Sequence, residues 1–343
     1  MSFHGEVITT LYVEGTALAL VIGLMVNTAG TRRKDGVRDK IFKLLIIHAL
    51  FLSVTDALSF GFRYQSFDGA TIITRVSRNL NEVLVLGFLF HWMIFVDYLL
   101  YGSRDHLERK YRPTTIPIIV CVVALFVNTF TNFLFEFDDN QIFIAKPAYW
   151  VIVAIEYLYM LDTVVLLLKF YAKSSGPRFI RVLPFIVPFV AGSVISRLSP
   201  YEVRSLGMAV GLVLLHFSLM NERCYRDEET GFYNVAFLKY IAGFAAEHDS
   251  EGGCSIIFDG AEKEEELGAI IRDELPGKCA VVNMGHGRFM VLAQTQSKTA
   301  INLFINAVKE AAHEENMEIS ADYSIRDASN SGETFIKGII EKI

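Results

Sequence analysis

The sequence predicts a seven-transmembrane α-helical bundle with its N-terminus outside, followed by a small cytoplasmic α/β domain. Three observations carry this. Mean hydropathy is +0.37 and 52% of the 343 residues are hydrophobic, including 27 Phe, which is too apolar for an ordinary soluble domain. The apolarity is uneven: residues 1–220 hold nearly all the long hydrophobic runs, while residues 221–343 carry charged stretches such as Glu262–Glu266. Basic residues also concentrate in alternate loops of the apolar half.

A bilayer core of about 30 Å needs roughly 20 apolar residues per helix. Seven stretches qualify: 7–29, 41–62, 79–101, 114–135, 147–170, 179–197 and 203–220. The sixth is interrupted by Pro184 and Pro188, which membrane helices tolerate better than soluble ones. The first loop carries Arg32, Arg33, Lys34, Arg38 and Lys40, the third Arg104, Arg109, Lys110 and Arg112, and the fifth Lys173, Arg178 and Arg181. The alternate loops are poorer in base, with Arg63, Arg75 and Arg78 in the second, Lys146 in the fourth, and Arg197 and Arg204 in the sixth. The positive-inside rule then places residues 221–343 in the cytoplasm of a multi-pass plasma (inner) membrane protein. No cleavable signal peptide is evident, because the first apolar run is as long as a span and lacks a basic flank.

The formal net charge of −6 and the lack of a basic stripe with interleaved aromatics argue against nucleic acid as a partner. The four cysteines, Cys121, Cys224, Cys254 and Cys279, form no Cys-x-x-Cys pair, so neither a zinc site nor a disulfide framework is indicated. Nucleotide-loop, zincin and nucleophile-elbow motifs do not occur.

Ionisable residues within spans are costly and so mark candidate sites. On the second helix His48, Thr55, Asp56, Ser59 and Arg63 share a narrow face; on the fifth, Tyr149, Glu156 and Thr163 recur every seven residues. Glu14, Asp56, Glu82 and Glu156 fall in the outer half, which predicts an outward-opening acidic cavity. With His91 they form the candidate sensor pocket for an unidentified ligand within the bilayer. The alternative for each is a helix-to-helix hydrogen bond, favoured for His48, His91 and His216; Asp97 lies near enough the inner interface to reach water. The seventh span has no lysine, which argues against a retinal Schiff base.

Residues 221–226 follow the last span with no Gly, Pro or Ser linker, which predicts a short helical joint able to transmit motion. Beyond it, Asp227-Glu228-Glu229-Thr230-Gly231-Phe232-Tyr233-Asn234 precedes a short helix (235–247). The strand Cys254–Asp259 follows. A second helix (262–274) leads to an apolar-turn-apolar segment around Gly285-His286-Gly287-Arg288-Phe289. A helix at 298–315 and a strand at 318–325 complete the order.

This order and two motifs resemble GGDEF domains, the diguanylate cyclase fold. The opening segment is similar to Asp-x-Leu-Thr-Gly-Leu-x-Asn-Arg, with Glu229 and Val235 in place of Leu and Arg. Asp259 matches the family's first metal-binding aspartate, and Ser320–Ile325 resembles its Ser-Ile-Gly strand. The signature turn keeps its shape, but Gly287 and Arg288 replace its acidic pair. The stretch that recognises guanine is missing or reduced to one helix, and Pro276 and Cys279 hold the positions of the product-inhibition motif. The resemblance therefore implies a degenerate, shortened domain over 227–343.

Cyclase chemistry needs two divalent ions held by carboxylates. Asp259 alone cannot hold them, and Arg288 would repel them. The expected function is that of a bacterial membrane receptor whose domain binds a nucleotide or partner without catalysis. No cofactor is named by the residues themselves; the resemblance admits a guanine nucleotide, at Asp259, His286 and Arg288, and implies a homodimer. Arg288 also reads as an ordinary solvated hairpin residue, and Thr230, Gly231 and Asn234 as structural residues capping the first helix. Two other functions compete: an atypical active cyclase, and a transporter or channel with a regulatory domain, the latter weakened by the lack of a repeat between 1–101 and 114–220.

Overall fold

The computed structural model describes residues 3–29, 37–63, 65, 67, 69–101, 104–138, 142–173, 183–199, 201–227, 230–247, 253–260, 263–275, 279–293 and 297–325. They form two compact units that part between Ser218 and Leu219.

The first unit is helical: α1 (Phe3–Ala29), α2 (Val37–Phe62), α3 (Ala70–Tyr101), α4 (Arg104–Thr131), α5 (Tyr149–Lys173), α6 (Leu183–Leu198) and α7 (Arg204–Arg223). A short antiparallel hairpin, β1 (Phe135–Phe137) and β2 (Phe143–Ala145), joins α4 to α5. Among the described residues, six helices are long and apolar enough to cross a membrane. The 16 described residues of α6 rise about 24 Å against a hydrocarbon core of about 30 Å, and residues 179–182 of the expected sixth span lie outside the described residues. The outward faces of the helices match a lipid solvent, since Phe126, Phe130, Trp150, Leu158 and Val187 are all exposed.

Four helices begin earlier than hydropathy suggested, α1 and α2 by about one turn and α3 and α4 by more. α3 opens at Ala70 rather than 79, and α4 at Arg104 rather than 114. Charged residues end an apolar run in sequence, but they do not end a helix, because every backbone group stays paired within it. Arg75 and Arg78 are thus helical residues.

Glycine sets the contact between α6 and α7. A Cβ on Gly207 would overlap the Pro188 carbonyl, one on Gly211 would lie 2.8 Å from the Phe185 carbonyl oxygen, and one on Gly192 would lie 3.1 Å from the Gly207 Cα. Small residues allow this close backbone approach where lipid supplies no hydrophobic drive.

The second unit contains α8 (Val235–Glu247), β3 (Cys254–Asp259), α9 (Glu264–Glu274), β4 (Ala280–Gly285), β5 (Arg288–Ala293), α10 (Lys298–Glu314) and β6 (Ser320–Ile325). From β3 onward the order is β-α-β-β-α-β, and the four strands lie as β4-β5-β3-β6 with all neighbours antiparallel. This is the ferredoxin-like split arrangement. Alternate residues serve opposite faces. Ile256, Phe258, Phe289 and Val291 join Leu267, Ile271, Ile301, Phe304 and Val308 in one core, beneath α9 and α10. Met290 and Val282 join Phe237 and Leu238 of α8 in the other. Ser297 caps α10, its hydroxyl accepting from the Ala300 amide.

Cys254 and Cys279 sit at the rim of the larger core. Burial pushes the Cys279 thiol up to about 11, with Cys254 adding to the effect, and burial raises Cys254 as well. The thiolate is the reactive form, and each unit of pKa removes about tenfold of it below the pKa. Maleimide labelling of single-cysteine variants at pH 8 should therefore modify exposed Cys224 in minutes and Cys279 about a hundredfold more slowly. The Cys279 rate should climb until the pH nears 11. Equal rates would contradict the burial.

Candidate functional site

The signature turn is a two-residue hairpin loop. Gly285 pairs with Arg288 across it. The loop residues His286 and Gly287 have φ of 55° and 69°. Positive φ at both central residues defines a type I′ turn, whose twist suits antiparallel strands. Gly287 accommodates this without cost, and His is among the residues that tolerate the left-handed region. The glycines of this segment thus have a backbone reason to be there.

Asp259 and Arg288 are brought together. They are direct cross-strand partners at the ends of β3 and β5, a position where opposite charges favour each other. His286 is exposed at the loop tip. The surroundings hold two residues that sequence reasoning passed over. Glu264, the first residue of α9, accepts from the Asn283 amide at 2.7 Å through one oxygen and from the Gly287 amide N–H at 3.3 Å through the other. Asn283 in turn accepts from the Gly285 N–H at 2.9 Å. A carboxylate of the chain itself therefore takes the Gly287 N–H and holds Asn283, which takes the Gly285 N–H. Only the opening position of α9 hinted at this, since acidic residues favour a helix N-terminus. Among the described residues, no three His, Cys, Asp or Glu side chains gather so as to hold a metal ion. Glu264→Ala should leave the Gly287 amide open to water and release Asn283, which holds Gly285. Amide exchange at Gly285 and Gly287 should speed up several-fold, whereas unchanged protection would show that Glu264 does not hold the turn.

The opening motif is a structural clamp rather than a helix cap. Asp227 Oδ1 accepts from both the N–H and the hydroxyl of Thr230, at 2.8 and 2.7 Å, and Gly231 follows at φ 73°. Thr230 thus closes its own turn instead of capping α8, because its hydroxyl reaches Asp227 first. Asn234 donates to the Cys224 carbonyl at 3.0 Å. Tyr233 adds to the sheet edge: its N–H donates to Val281 O at 2.9 Å, and its carbonyl accepts from the Asn283 N–H at 2.7 Å. Arg226 binds Glu222 Oε1 at 2.7 Å and the Gly231 carbonyl at 2.9 Å, and lies 4.6 Å over the Tyr233 ring. Burial alone would lower the Arg226 pKa; Glu222 beside it holds it above its ordinary value. The helix preceding this clamp ends at Arg223, so only the first half of the expected 221–226 joint is helical.

In the first unit the candidate carboxylates are buried. Glu82 is a hub: it meets Arg78 at 2.7 Å, Arg204 at 3.8 Å and the Tyr149 hydroxyl at 2.9 Å. Glu156 meets Arg197 at 2.9 Å, and Arg197 also donates to the Tyr149 hydroxyl at 3.2 Å. Glu14 accepts from the Ser205 hydroxyl at 2.5 Å. Asp56 is fully buried. His91 belongs to a helix contact: its ring lies 4.9 Å from that of His48, and the Nδ1 of each hydrogen-bonds the carbonyl four residues back, Gly87 or Leu44.

The cavity nearby encloses about 540 Å³, and none of Glu14, Asp56, Glu82, His91 or Glu156 forms its wall. Its charged lining is Arg63, Arg78, Arg197, Arg204 and Glu202. Arginines dominate the wall of this cavity, with Glu82 and Glu156 engaged in holding them. Sequence counting had used those arginines as loop charges. The four-residue spacing of Arg78 and Glu82 was the available signal.

No family model and no curated protein matches the sequence. Among solved structures, the chain is similar to the diguanylate cyclase SiaD from Pseudomonas aeruginosa, crystallised in complex with its activator SiaC. The likeness has 14% identity and a TM-score of 0.31, and covers 57% of this chain and 84% of that one. The chain therefore joins apolar helices of membrane-spanning length to a small sheet domain and bears a distant structural likeness to a diguanylate cyclase.

Proposed function

We propose that this protein is a seven-helix membrane sensor, N-terminus outside, whose cytoplasmic GGDEF-like domain relays a signal by binding a nucleotide or a partner without cyclase chemistry. The observation that carries the reading is the turn itself. Arg288 stands opposite Asp259, and Glu264 takes the Gly287 amide and the Asn283 side chain. A guanidinium beside the single matching carboxylate opposes binding of two divalent ions, whose charge phosphoryl transfer requires.

Transmission is supported by the clamp after α7. Glu222, in the last turn of that helix, is tied through Arg226 to the Gly231 carbonyl, and Tyr233 is tied to β4. A displacement of the helix end would reach the sheet through bonded contacts rather than a slack linker. Orientation follows from the basic first, third and fifth loops. A homodimer and a guanine nucleotide remain parts of the reading that the family resemblance supplies.

Titration of the full chain in detergent with GTP, with and without magnesium, tests the nucleotide branch. Binding that is independent of magnesium and weakened about tenfold by Arg288→Ala is expected if the arginine replaces the metal's charge. Strictly magnesium-dependent binding would refute the reading.

A further inference from the structure

The arginine-walled cavity of the helical unit matches neither a structural role alone nor the acidic pocket the sequence suggested. Guanidinium groups are costly to hold among membrane helices and mark functional sites when they face a cavity. Four of them, Arg63 just after α2, Arg78 of α3, Arg197 of α6 and Arg204 of α7, line one space with a single carboxylate, Glu202, which meets Arg78 at 3.6 Å and Arg204 at 3.5 Å. They are held in place from outside the cavity wall: Arg78 by Glu82 at 2.7 Å, Arg197 by Glu156 at 2.9 Å, and Arg204 by the Asn81 side-chain oxygen at 2.7 Å. Arg63 lies 4.1 Å over the Phe60 ring. Fixed guanidinium forks are the preferred donors for carboxylate and phosphate oxygens. The rest of the wall combines apolar and aromatic side chains, Phe143 and Trp150 among them, with the hydroxyls of Ser193, Ser196 and Ser199. A volume of 540 Å³ suits one small organic molecule.

We infer that this cavity binds a small organic anion, with a carboxylate or phosphate head against the arginines and an apolar body against Phe143 and Trp150. The inference rests on the sensor reading only for its consequence; binding itself depends on the cavity. The head can come from a soluble compound or from an anionic lipid.

The test uses the full chain in nanodiscs of zwitterionic lipid, with 3-phenylpropionate and its neutral amide as probes. The acid should raise the thermal unfolding midpoint and change the fluorescence of Trp150, which lines the cavity; the amide should do neither. Arg63→Gln should weaken the acid about tenfold, the loss of one charge-assisted contact, whereas Arg38→Gln, outside the cavity, should leave it unchanged. In nanodiscs containing phosphatidylglycerol, a raised midpoint with no further response to the acid would identify a lipid headgroup as the anion and support the site. No response to the acid and no effect of phosphatidylglycerol would overturn the inference, as would equal responses to acid and amide or an unaltered Arg63→Gln. Because both tryptophans, Trp92 and Trp150, lie in the helical unit, the fluorescence reads that unit alone, and its failure leaves the nucleotide tests untouched.

Discussion

Replacing Glu82 with alanine should lower the thermal unfolding midpoint of the full chain more than loss of any other single carboxylate. Glu82 is completely buried and holds two buried arginines, Arg78 and Arg204, and the Tyr149 hydroxyl. Removing one member of a buried ion pair leaves uncompensated charge, at about 3–5 kcal/mol. For a unit of this size that is on the order of 10 °C. Glu82→Gln separates the two contributions. It can still accept from Tyr149 but carries no charge, so it should fall nearly as far if charge dominates. Glu156→Gln should cost less, because its partner Arg197 is 23% exposed and water screens what remains. A Glu82→Ala midpoint within a degree or two of wild type would contradict the hub.

Gly207→Leu should separate α6 from α7. The new Cβ would meet the Pro188 carbonyl, and the Gly192 backbone lies beside it. Backbone cannot rotate away as a side chain can, so the cost should reach the upper end of the about 1–3 kcal/mol typical of overpacking. The short link from α6 to α7 should loosen too, since the Val203 N–H donates to Ser196 Oγ at 2.8 Å there. Gly23→Leu is the control: nothing lies within 4 Å of its added Cβ, and α1 should accept it. Differential scanning of the two variants in the same detergent checks this. Equal midpoints would show that α6 and α7 do not meet through glycine.

Much of the second unit was legible in the sequence. Strand Cys254–Asp259 appears at its expected bounds, and α8, α9 and α10 lie within two residues of theirs. Strong alternation and long amphipathic runs fix such elements locally. The hairpin was legible as well, because His-Gly between apolar runs suits a turn needing positive φ twice. The role of Glu264 was not. It is one of three consecutive glutamates, and only the fold sets it against a turn 23 residues away.

In the helical unit the polar stripes were legible and their meaning was not. The Tyr149–Glu156 face converges as spacing implied, with both residues on Arg197. The arginines were misplaced because hydropathy counting assigns a charge to the nearest loop. Arg78 lies a full two turns inside α3, where Glu82 four residues on compensates it. Arg204 opens α7 and is almost fully buried. An acidic cavity was expected because carboxylates were considered without the cations that long-range packing brings to them.

The most direct test of the central claim is product formation. Purified full chain in nanodiscs, incubated with GTP and either magnesium or manganese, should yield no cyclic dinucleotide above a protein-free blank. Restoring carboxylates by the double change Gly287→Asp and Arg288→Glu should yield none either, since on the proposed reading the sequence between Asp259 and the turn supplies no guanine-recognition stretch. A cyclic product that accumulates in proportion to the wild-type protein and disappears in Asp259→Ala would contradict the claim.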